Sequence, residues 1–208
     1  MEHHPRLECR AGKQARFSIA RAVLVATPAP QALALTRSSL ETPTLHALER
    51  VEFDPCWALM ATLETAPDVP WQGVKLQHPI LEWASLEHSK RPSAPALVLH
   101  ATPDWSREHL EQHPDQVIPA LLEASREALG DLGAVQHVTA HRWRYAKAAR
   151  MHPAPYLVQR DLLFCGDWCD ADGHGSRVEN ALESGWAAAT YLCDHLEQPM
   201  SAILTDVI

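Results

Sequence analysis

The sequence predicts a mixed α/β (α+β) fold built from two lobes. An unbroken apolar run at residues 22–26 stops abruptly at Thr27 and Pro28, and such a run is typical of a strand buried on both faces of a parallel sheet. From about residue 50 the chain is rich in β-branched and aromatic residues between Pro and Gly, which predicts an antiparallel sheet. Two later segments repeat apolar residues at helical spacing.

The first half of the chain is predicted to be mostly strands. Gly12 lies in the turn of a predicted hairpin formed by residues 6–9 and 16–19. Pro30 stands in the first turn of a short helix that follows the apolar run. The segments that predict the antiparallel sheet are residues 51–64, 73–90, 94–103 and 134–146.

Two longer helices are predicted in the second half. One begins near Ile118, because Pro119 is tolerated in a first turn but not in a helix interior, and it ends at Gly130. The other follows a short apolar strand and begins at about Ser176. Four small residues are predicted to let this last helix approach a sheet closely: Ala181, Gly185, Ala188 and Ala189.

Composition and charge exclude several classes of protein. The formal net charge of −8 and the scattered Lys and Arg residues argue against a nucleic-acid partner. The five cysteines form no paired framework, and the chain starts without an apolar segment for export, so reduced thiols are expected. No apolar run approaches the about 18 residues of a membrane span. A soluble, cytoplasmic protein is therefore predicted.

The stretch CGDWCDADGHGSRVENALESG, at residues 165–185, allows a metal-site interpretation. An EF-hand-like loop places Asp170, Asp172 and Glu179 at ligand positions, but Trp168 occupies the first position, where an oxygen ligand is needed. A zinc site at Cys165, Cys169 and His174 has loose spacing and lacks a second cysteine pair. We therefore predict no metal, and keep the calcium-like loop as a distant alternative.

The same stretch also favours a cofactor site at the end of a strand. Gly166 lets the chain turn sharply, and Asp167 offers a carboxylate at the strand end. Gly173 and Gly175 let a ligand come close to the backbone. A helix that begins after them directs free N–H groups and a partial positive charge at the ligand. Such an end stabilises an anionic group or an electron-accepting ring.

These residues also carry a family resemblance. LLFCGDW followed by GSRVENALESGWAAA resembles the C-terminal flavin motif of FAD-dependent amine oxidase-like proteins, in the renalase-like branch. AVLVATPAPQALAL, FDPCWALM and HRWRYA are similar to the same branch, so the resemblance covers nearly the whole chain. The Gly-Asp pair together with R-V-E-x-A-x-x-S-G is the specific part, and the isolated apolar strands are weak signals.

The resemblance implies FAD as the cofactor and a small-molecule substrate. It implies that Asp167 hydrogen-bonds the ribityl chain, and that the backbone at Arg177 and Val178 faces the N1/C2=O edge of the flavin ring. No catalytic side chain is assigned, because the flavin itself carries out the transfer. The complete set of predicted cofactor-binding residues is Ala26, Thr27, Pro28, Gly166, Asp167, Trp168, Gly175, Arg177 and Val178.

The chain departs from the family at its start. The family begins with a strand and a G-x-G-x-x-G turn that holds the pyrophosphate, and none of the eight glycines here falls in that pattern. The predicted lobes are therefore an incomplete, Rossmann-like FAD-binding lobe (residues 1–30 and 151–208) and a substrate-binding lobe (residues 31–150). The open edge of the first lobe predicts a homodimer or a complementing N-terminal fragment.

The leading functional hypothesis is an oxidoreductase that uses FAD to oxidise an amine or a reduced nicotinamide-type molecule. We also expect that the missing segment can leave the chain inactive alone. The departure at the start has three competing explanations: a natural truncated or split gene product, an incomplete sequence, or a protein that has lost FAD. The alternatives are therefore a non-catalytic interaction protein derived from a flavoprotein, and more distantly a metal-binding module that uses Asp170, Asp172 and Glu179.

Overall fold

The structure, a computed structural model, describes residues 20–87, 95–173 and 175–197. The hairpin predicted around Gly12 lies outside these residues. The mixed α/β fold is confirmed, and the elements in chain order are β1 (Val23–Val25), α1 (Ala29–Thr36), a 3₁₀ turn (Arg37–Ser39), α2 (Thr42–Glu49), β2 (Glu52–Leu63), β3 (Gly73–Lys75), β4 (Leu81–Leu86), β5 (Ala96–Ala101), α3 (Pro103–Glu108), α4 (Pro114–Leu129), β6 (Val135–Arg150), β7 (Leu157–Gln159), β8 (Leu162–Phe164) and α5 (Val178–Glu197).

The described chain divides into two compact units. Unit 1 contains the described residues up to Glu52 and those from Ala148 onward, and unit 2 is Phe53–Lys147. The first boundary differs from that of the predicted lobes, because residues 31–52 belong to the same unit as β1. The side chain of Gln159 in β7 helps to hold residues 31–52 in unit 1, since it donates to the Ser39 carbonyl at 3.0 Å and accepts from the Glu41 N–H at 2.8 Å. The assignment of a cofactor role and a substrate role to the lobes stays a prediction.

Unit 1 has a three-stranded sheet with the order β1-β8-β7. β1 runs parallel to β8, with Val23 opposite Leu162 and Val25 opposite Phe164, and β7 forms an antiparallel hairpin with β8. The predicted parallel pairing of the first apolar run is confirmed. Its predicted burial on both faces is wrong for Leu24, which is 38% exposed, because β1 lies at the edge of the described sheet.

Unit 2 has a five-stranded sheet with the order β3-β4-β5-β2-β6. The pairs β3–β4, β4–β5 and β5–β2 are antiparallel, which confirms the predicted sheet type. Four segments give five strands because residues 73–90 contain a turn at His78 and Pro79. The His78 ring nitrogen Nδ1 accepts from the Ile80 N–H at 3.2 Å and stabilises that turn.

One face of this sheet packs against α4. Val117, Leu121 and Ala124 of α4 are fully buried and join Leu59 and Leu99 of the sheet in one apolar core. Since side chains alternate along a strand, the other face of the sheet carries residues such as Met60 and Trp143, which are 37% and 55% exposed. Unit 2 therefore has one core face and one open face.

α4 begins earlier than predicted. It starts at Pro114, and Pro119 lies inside the helix. The His113 N–H donates to the Gln116 side chain at 2.8 Å, and the His113 ring accepts from the Asp115 N–H at 3.4 Å. This reciprocal cap fixes the first turn and offsets the one helical hydrogen bond that Pro119 cannot make. The predicted end at Gly130 is confirmed, with φ at +78°.

α5 is apolar on its outer face as well as on its inner face. Asn180, Ser184 and Ala188 are buried, and Ala188 packs with Leu163 of β8. Val178, Leu182 and Trp186 recur every four residues and are 84%, 68% and 72% exposed. The prediction that the small residues face the sheet holds for Ala188 but is wrong for Ala181 and Ala189, which are exposed, because polar Asn180 and Ser184 occupy that face. Of the helices in the described ranges, none has the length and apolarity needed to cross a membrane.

Candidate functional site

The carboxyl ends of β1 and β8 lie side by side because the two strands are parallel. The chain leaves β1 through residues 26–28 and leaves β8 through residues 165–173 and 175–177, and we call these described residues the β1–β8 corner. Ligands of parallel α/β sheets bind outside the carboxyl ends of strands. The structure thus brings both groups of predicted cofactor residues to the same corner.

Gly166 makes the turn out of β8. Its N–H donates to the Ser184 hydroxyl of α5 at 3.0 Å, and its φ is +155°. A Cβ added at Gly166 would lie 2.7 Å from Nε1 of Trp168, closer than real Cβ contacts. Glycine is therefore required here both for the backbone conformation and for the approach of the indole.

Trp168 joins the two halves of the corner. Its indole N–H donates to the carbonyl oxygen of Thr27 at 3.1 Å, and the residue is only 1% exposed. The indole is therefore part of the interior of unit 1 and has no free face for stacking on a ligand. The predicted contact of Trp168 with a cofactor stays a prediction, and this burial restricts it to the backbone.

Asp170 organises the turn that follows. One carboxylate oxygen accepts from the N–H groups of Asp172 at 3.2 Å and Gly173 at 2.8 Å, and the other accepts from Gly175 at 2.8 Å. Gly173 and Gly175 have φ values of +75° and +82°, and a Cβ on either would meet no atom within 4 Å. Asp170 thus caps this turn, and the close approach of a ligand to the two glycines stays a prediction.

The same contacts weigh against the metal interpretation. Both carboxylate oxygens of Asp170 are engaged by backbone donors within the turn. Within the described ranges, no group of three or more His, Cys, Asp or Glu side chains could hold a metal ion. His174, a candidate for the zinc interpretation, lies outside the described residues.

Asp167 and the start of α5 form the far side of the corner. The Ser176 hydroxyl donates to the Asp167 carboxylate, which is partly buried. The Ala181 N–H makes the first helical hydrogen bond, to the Arg177 carbonyl at 3.2 Å, so the preceding amides have no intrahelical acceptor. Arg177 and Val178 are exposed at this end. A carboxylate and a helix N-terminus therefore stand next to each other.

Thr27 carries an unpaired polar atom on the other side. Among the described residues that are not exposed, its hydroxyl oxygen is the one buried side-chain N or O atom without a hydrogen-bond partner. Leaving such a group unpaired costs about 1–3 kcal/mol. Ala26 is exposed, and Pro28 precedes the first turn of α1. The residues present thus fit a group that brings a polar atom to the end of β1.

Burial also sets the chemistry of the thiols near the corner. It raises the pKa of Cys169 to about 12 and raises that of Cys165 as well. A thiol that remains protonated is a poor nucleophile and a poor metal ligand. These two cysteines therefore contribute packing to the corner, as the sequence interpretation of Cys165 expected.

Sequence reasoning missed two residues that shape the corner. The Ser184 hydroxyl accepts from the Gly166 N–H. The backbone of His152 binds both neighbours of Cys169: the His152 N–H donates to the Trp168 carbonyl at 2.8 Å, and the His152 carbonyl accepts from the Asp170 N–H at 2.9 Å. Burial also lowers the pKa of His152. A polar residue on the inner side of a helix was a signal for Ser184, whereas nothing in the local sequence marks His152.

Comparisons with known proteins give a family match and several solved structures of similar fold. The family model of flavin-containing amine oxidoreductases matches residues 3–193. Cyclohexylamine oxidase from Brevibacterium oxydans IH-35A has a similar structure, with a TM-score of 0.68, 15% identity and coverage of 90% of this chain and 45% of that chain. A protein described as a protoporphyrinogen oxidase from Exiguobacterium sp. 255-15 has a TM-score of 0.61, 17% identity and coverage of 93% and 47%.

The solved structures share the fold and are longer. The chain spans less than half of either of them, and it also spans 44% of an oxidoreductase from Methanosarcina mazei, with a TM-score of 0.60 and 14% identity. At these identities the likeness concerns the fold alone. The family model covers most of the chain, including both segments of the β1–β8 corner. The chain therefore belongs to the family of flavin-containing amine oxidoreductases.

Proposed function

We propose that the protein works as a renalase-like, FAD-dependent oxidoreductase on an amine or a reduced nicotinamide-type small molecule. Membership of the family implies FAD as the cofactor and a flavin-dependent oxidoreductase at the family level. The observation that carries the proposal is the β1–β8 corner, where an open glycine turn, a carboxylate, a helix N-terminus and an unpaired buried hydroxyl converge. Such a corner suits a ligand with both hydrogen-bonding and electron-accepting parts.

The residues on α5 and on the turn before it are proposed to hold the flavin end of FAD. The Asp167 carboxylate would accept a hydrogen bond from a ribityl hydroxyl, and the Ser176 hydroxyl donates to that carboxylate and keeps it in place. The first amides of α5, at Val178 and beyond, would direct their N–H groups and a partial positive charge toward the N1/C2=O edge of the ring. This arrangement would stabilise negative charge on that edge.

Residues 26–28 of the corner are proposed to hold the other side of the cofactor. Ala26 is exposed and has only a methyl group, so a ring can approach the backbone there. Pro28 fixes the turn into α1, because its φ is restricted. When bound there, FAD would supply the redox chemistry, namely hydride acceptance from the substrate with oxygen as the final electron acceptor.

Substrate binding is proposed on the open face of the sheet in unit 2. Trp143 is 55% exposed on that face, and the His141 ring contacts its edge with the centroids 4.5 Å apart. Met60 on β2 is also exposed. Aromatic and thioether side chains of this kind bind planar or cationic small molecules. Substituting Trp143 is therefore expected to change substrate affinity without changing cofactor affinity.

The visible spectrum of the purified chain tests the proposal. Flavin absorbance bands in the chain as isolated, or after addition of FAD and removal of the excess, support it. Asp167→Ala is expected to weaken FAD retention, whereas Asp172→Ala, an exposed carboxylate of the same turn, is the matched control and is expected to leave it unchanged. Equal retention by both variants contradicts the role given to Asp167.

A chain that stays colourless and ignores added FAD favours the second candidate function, a non-catalytic interaction protein. The edge position of β1 in the described sheet and the exposed apolar residues Val178, Leu182 and Trp186 of α5 are the observations that support this candidate. The metal-binding module makes a separate prediction. It requires a rise in the unfolding temperature on addition of calcium that is lost in Asp172→Ala.

A further inference from the structure

The Thr27 hydroxyl is unpaired for a reason that lies in its own sequence. A threonine hydroxyl at a strand end commonly accepts from a backbone N–H two or three residues later. Here Pro28 and Pro30 have no N–H to offer, which leaves Ala29 as the one donor in reach along the chain. Thr27 also precedes a proline, so its backbone is restricted to extended conformations. The local sequence thus leaves one backbone donor near this hydroxyl, and the hydroxyl does not bind it.

The carbonyl of the same residue is held firmly. It accepts from the indole N–H of Trp168 at 3.1 Å, and the indole is fixed by burial and by its close approach to Gly166. Gly166 in turn donates to Ser184 on α5. A series of contacts therefore runs from α5 through the end of β8 to Thr27. It fixes the position of a residue whose side-chain oxygen is unused.

We infer that the Thr27 hydroxyl hydrogen-bonds a polar atom of the FAD cofactor, and that Trp168 is a positioning residue that holds Thr27 for this contact. The inference rests on the proposed function, since it requires FAD at the β1–β8 corner. It assigns to Trp168 an action through the Thr27 carbonyl instead of a contact with the flavin ring. Cofactor binding then supplies the partner that the hydroxyl lacks among the protein's own groups.

Two variants of Thr27 test this in the full chain. Thr27→Val keeps the shape and removes the hydroxyl, and Thr27→Ser keeps the hydroxyl. We expect Thr27→Val to raise the Kd for FAD roughly tenfold, as the loss of one hydrogen bond does. Without FAD, the same variant is expected to unfold at the same temperature as the wild type or higher, because it removes a buried unpaired hydroxyl. Thr27→Ser is expected to restore the FAD affinity.

The role of Trp168 is tested by a double-mutant cycle. Trp168→Phe removes the indole N–H and is expected to weaken FAD binding in the wild-type background. If Trp168 acts through Thr27, the same substitution costs much less FAD affinity when Thr27 is already valine. Additive effects overturn the positioning role of Trp168. A structural role alone lowers the unfolding temperature without producing this coupling.

The outcomes separate the inference from the function on which it rests. If the wild-type chain binds no FAD, both the inference about Thr27 and the proposed function are overturned. A wild type that binds FAD, with an equal Kd for Thr27→Val, overturns the inference alone and leaves the proposed function standing. A lower unfolding temperature for Thr27→Val without FAD also overturns it, because the hydroxyl then has a partner within the protein.

Discussion

The Ser184 hydroxyl of α5 accepts a hydrogen bond from the Gly166 N–H at the end of β8, at 3.0 Å. This contact joins the last helix to the turn that opens the β1–β8 corner. Ser184 itself is 1% exposed, so water does not readily replace it as the acceptor. The Ser184 oxygen therefore links α5 to the backbone of the Gly166 turn, in addition to the packing of Ala188 on Leu163.

Replacing Ser184 by alanine is expected to lower the free energy of unfolding by about 1 kcal/mol, because the Gly166 N–H loses its acceptor. Urea unfolding followed by fluorescence measures the difference. Thr190→Ala changes an exposed hydroxyl on the same helix and is expected to have almost no effect. Equal stabilities of the two variants would show that the contact contributes nothing.

Alanine at Gly166 is expected to be far more damaging than alanine at Gly175. At Gly166 the new Cβ meets Nε1 of Trp168 at 2.7 Å and the backbone has a positive φ, so both a clash and strain arise. At Gly175 the space is open and only the strain of a φ of +82° remains, about 1 kcal/mol. Thermal unfolding of both variants ranks them, and the reverse order refutes this account of Gly166.

The turn is expected to loosen when Asp170 is replaced by alanine. The N–H groups of Gly173 and Gly175 lose their common acceptor and are expected to exchange with deuterium more than tenfold faster, since opening then costs at least about 1.4 kcal/mol less. Amide exchange read by NMR or mass spectrometry measures this. Asp172→Ala, which removes a neighbouring carboxylate, is the control. Unchanged exchange at both glycines contradicts the organising role of Asp170.

Thiol reactivity is expected to follow burial. Burial raises the pKa of both Cys56 and Cys169 to about 12, whereas Cys193 is exposed on α5. Because the thiolate is the reactive form, iodoacetamide at pH 8 is expected to modify Cys193 well before the other two, as peptide mass spectrometry can show. Early modification of Cys169 in the folded protein argues against its burial.

The same shift has a consequence for stability at high pH. The folded protein holds these protons more tightly than the unfolded chain, whose thiols titrate near 9.0. The stabilisation is therefore complete below pH 9 and is lost as the pH rises from about 9 toward 12. A Cys169→Ala variant is expected to lose less stability over this window than the wild type.

Much of the fold follows from local sequence patterns. The apolar run before Thr27 predicted β1 and its parallel pairing, and helical spacing predicted α4 and α5. α2, α3 and β7 were not predicted, because elements of three to eight residues show too little periodicity. The start of α4 was wrong because a reciprocal cap at His113 outweighed the proline that the prediction relied on.

The candidate site was predictable only in part. A Gly-Asp pair between a strand and a helix indicated a turn with a ligand, and the structure gathers the predicted residues there. The contacts of Ser184 and His152 could not be inferred, because each joins elements that are far apart in sequence. The unpaired state of the Thr27 hydroxyl is a property of the folded interior, which no local pattern reports.

β1 and β8 pair through Val23 and Leu162, and along the chain the whole of unit 2 lies between these two strands. During translation, Phe53–Lys147 emerges as one contiguous stretch and can fold before β8, the partner of β1, has been synthesised. Closing so long a loop carries a larger entropic penalty than closing any hairpin between the described strands. The corner is thus expected to mature last on the ribosome.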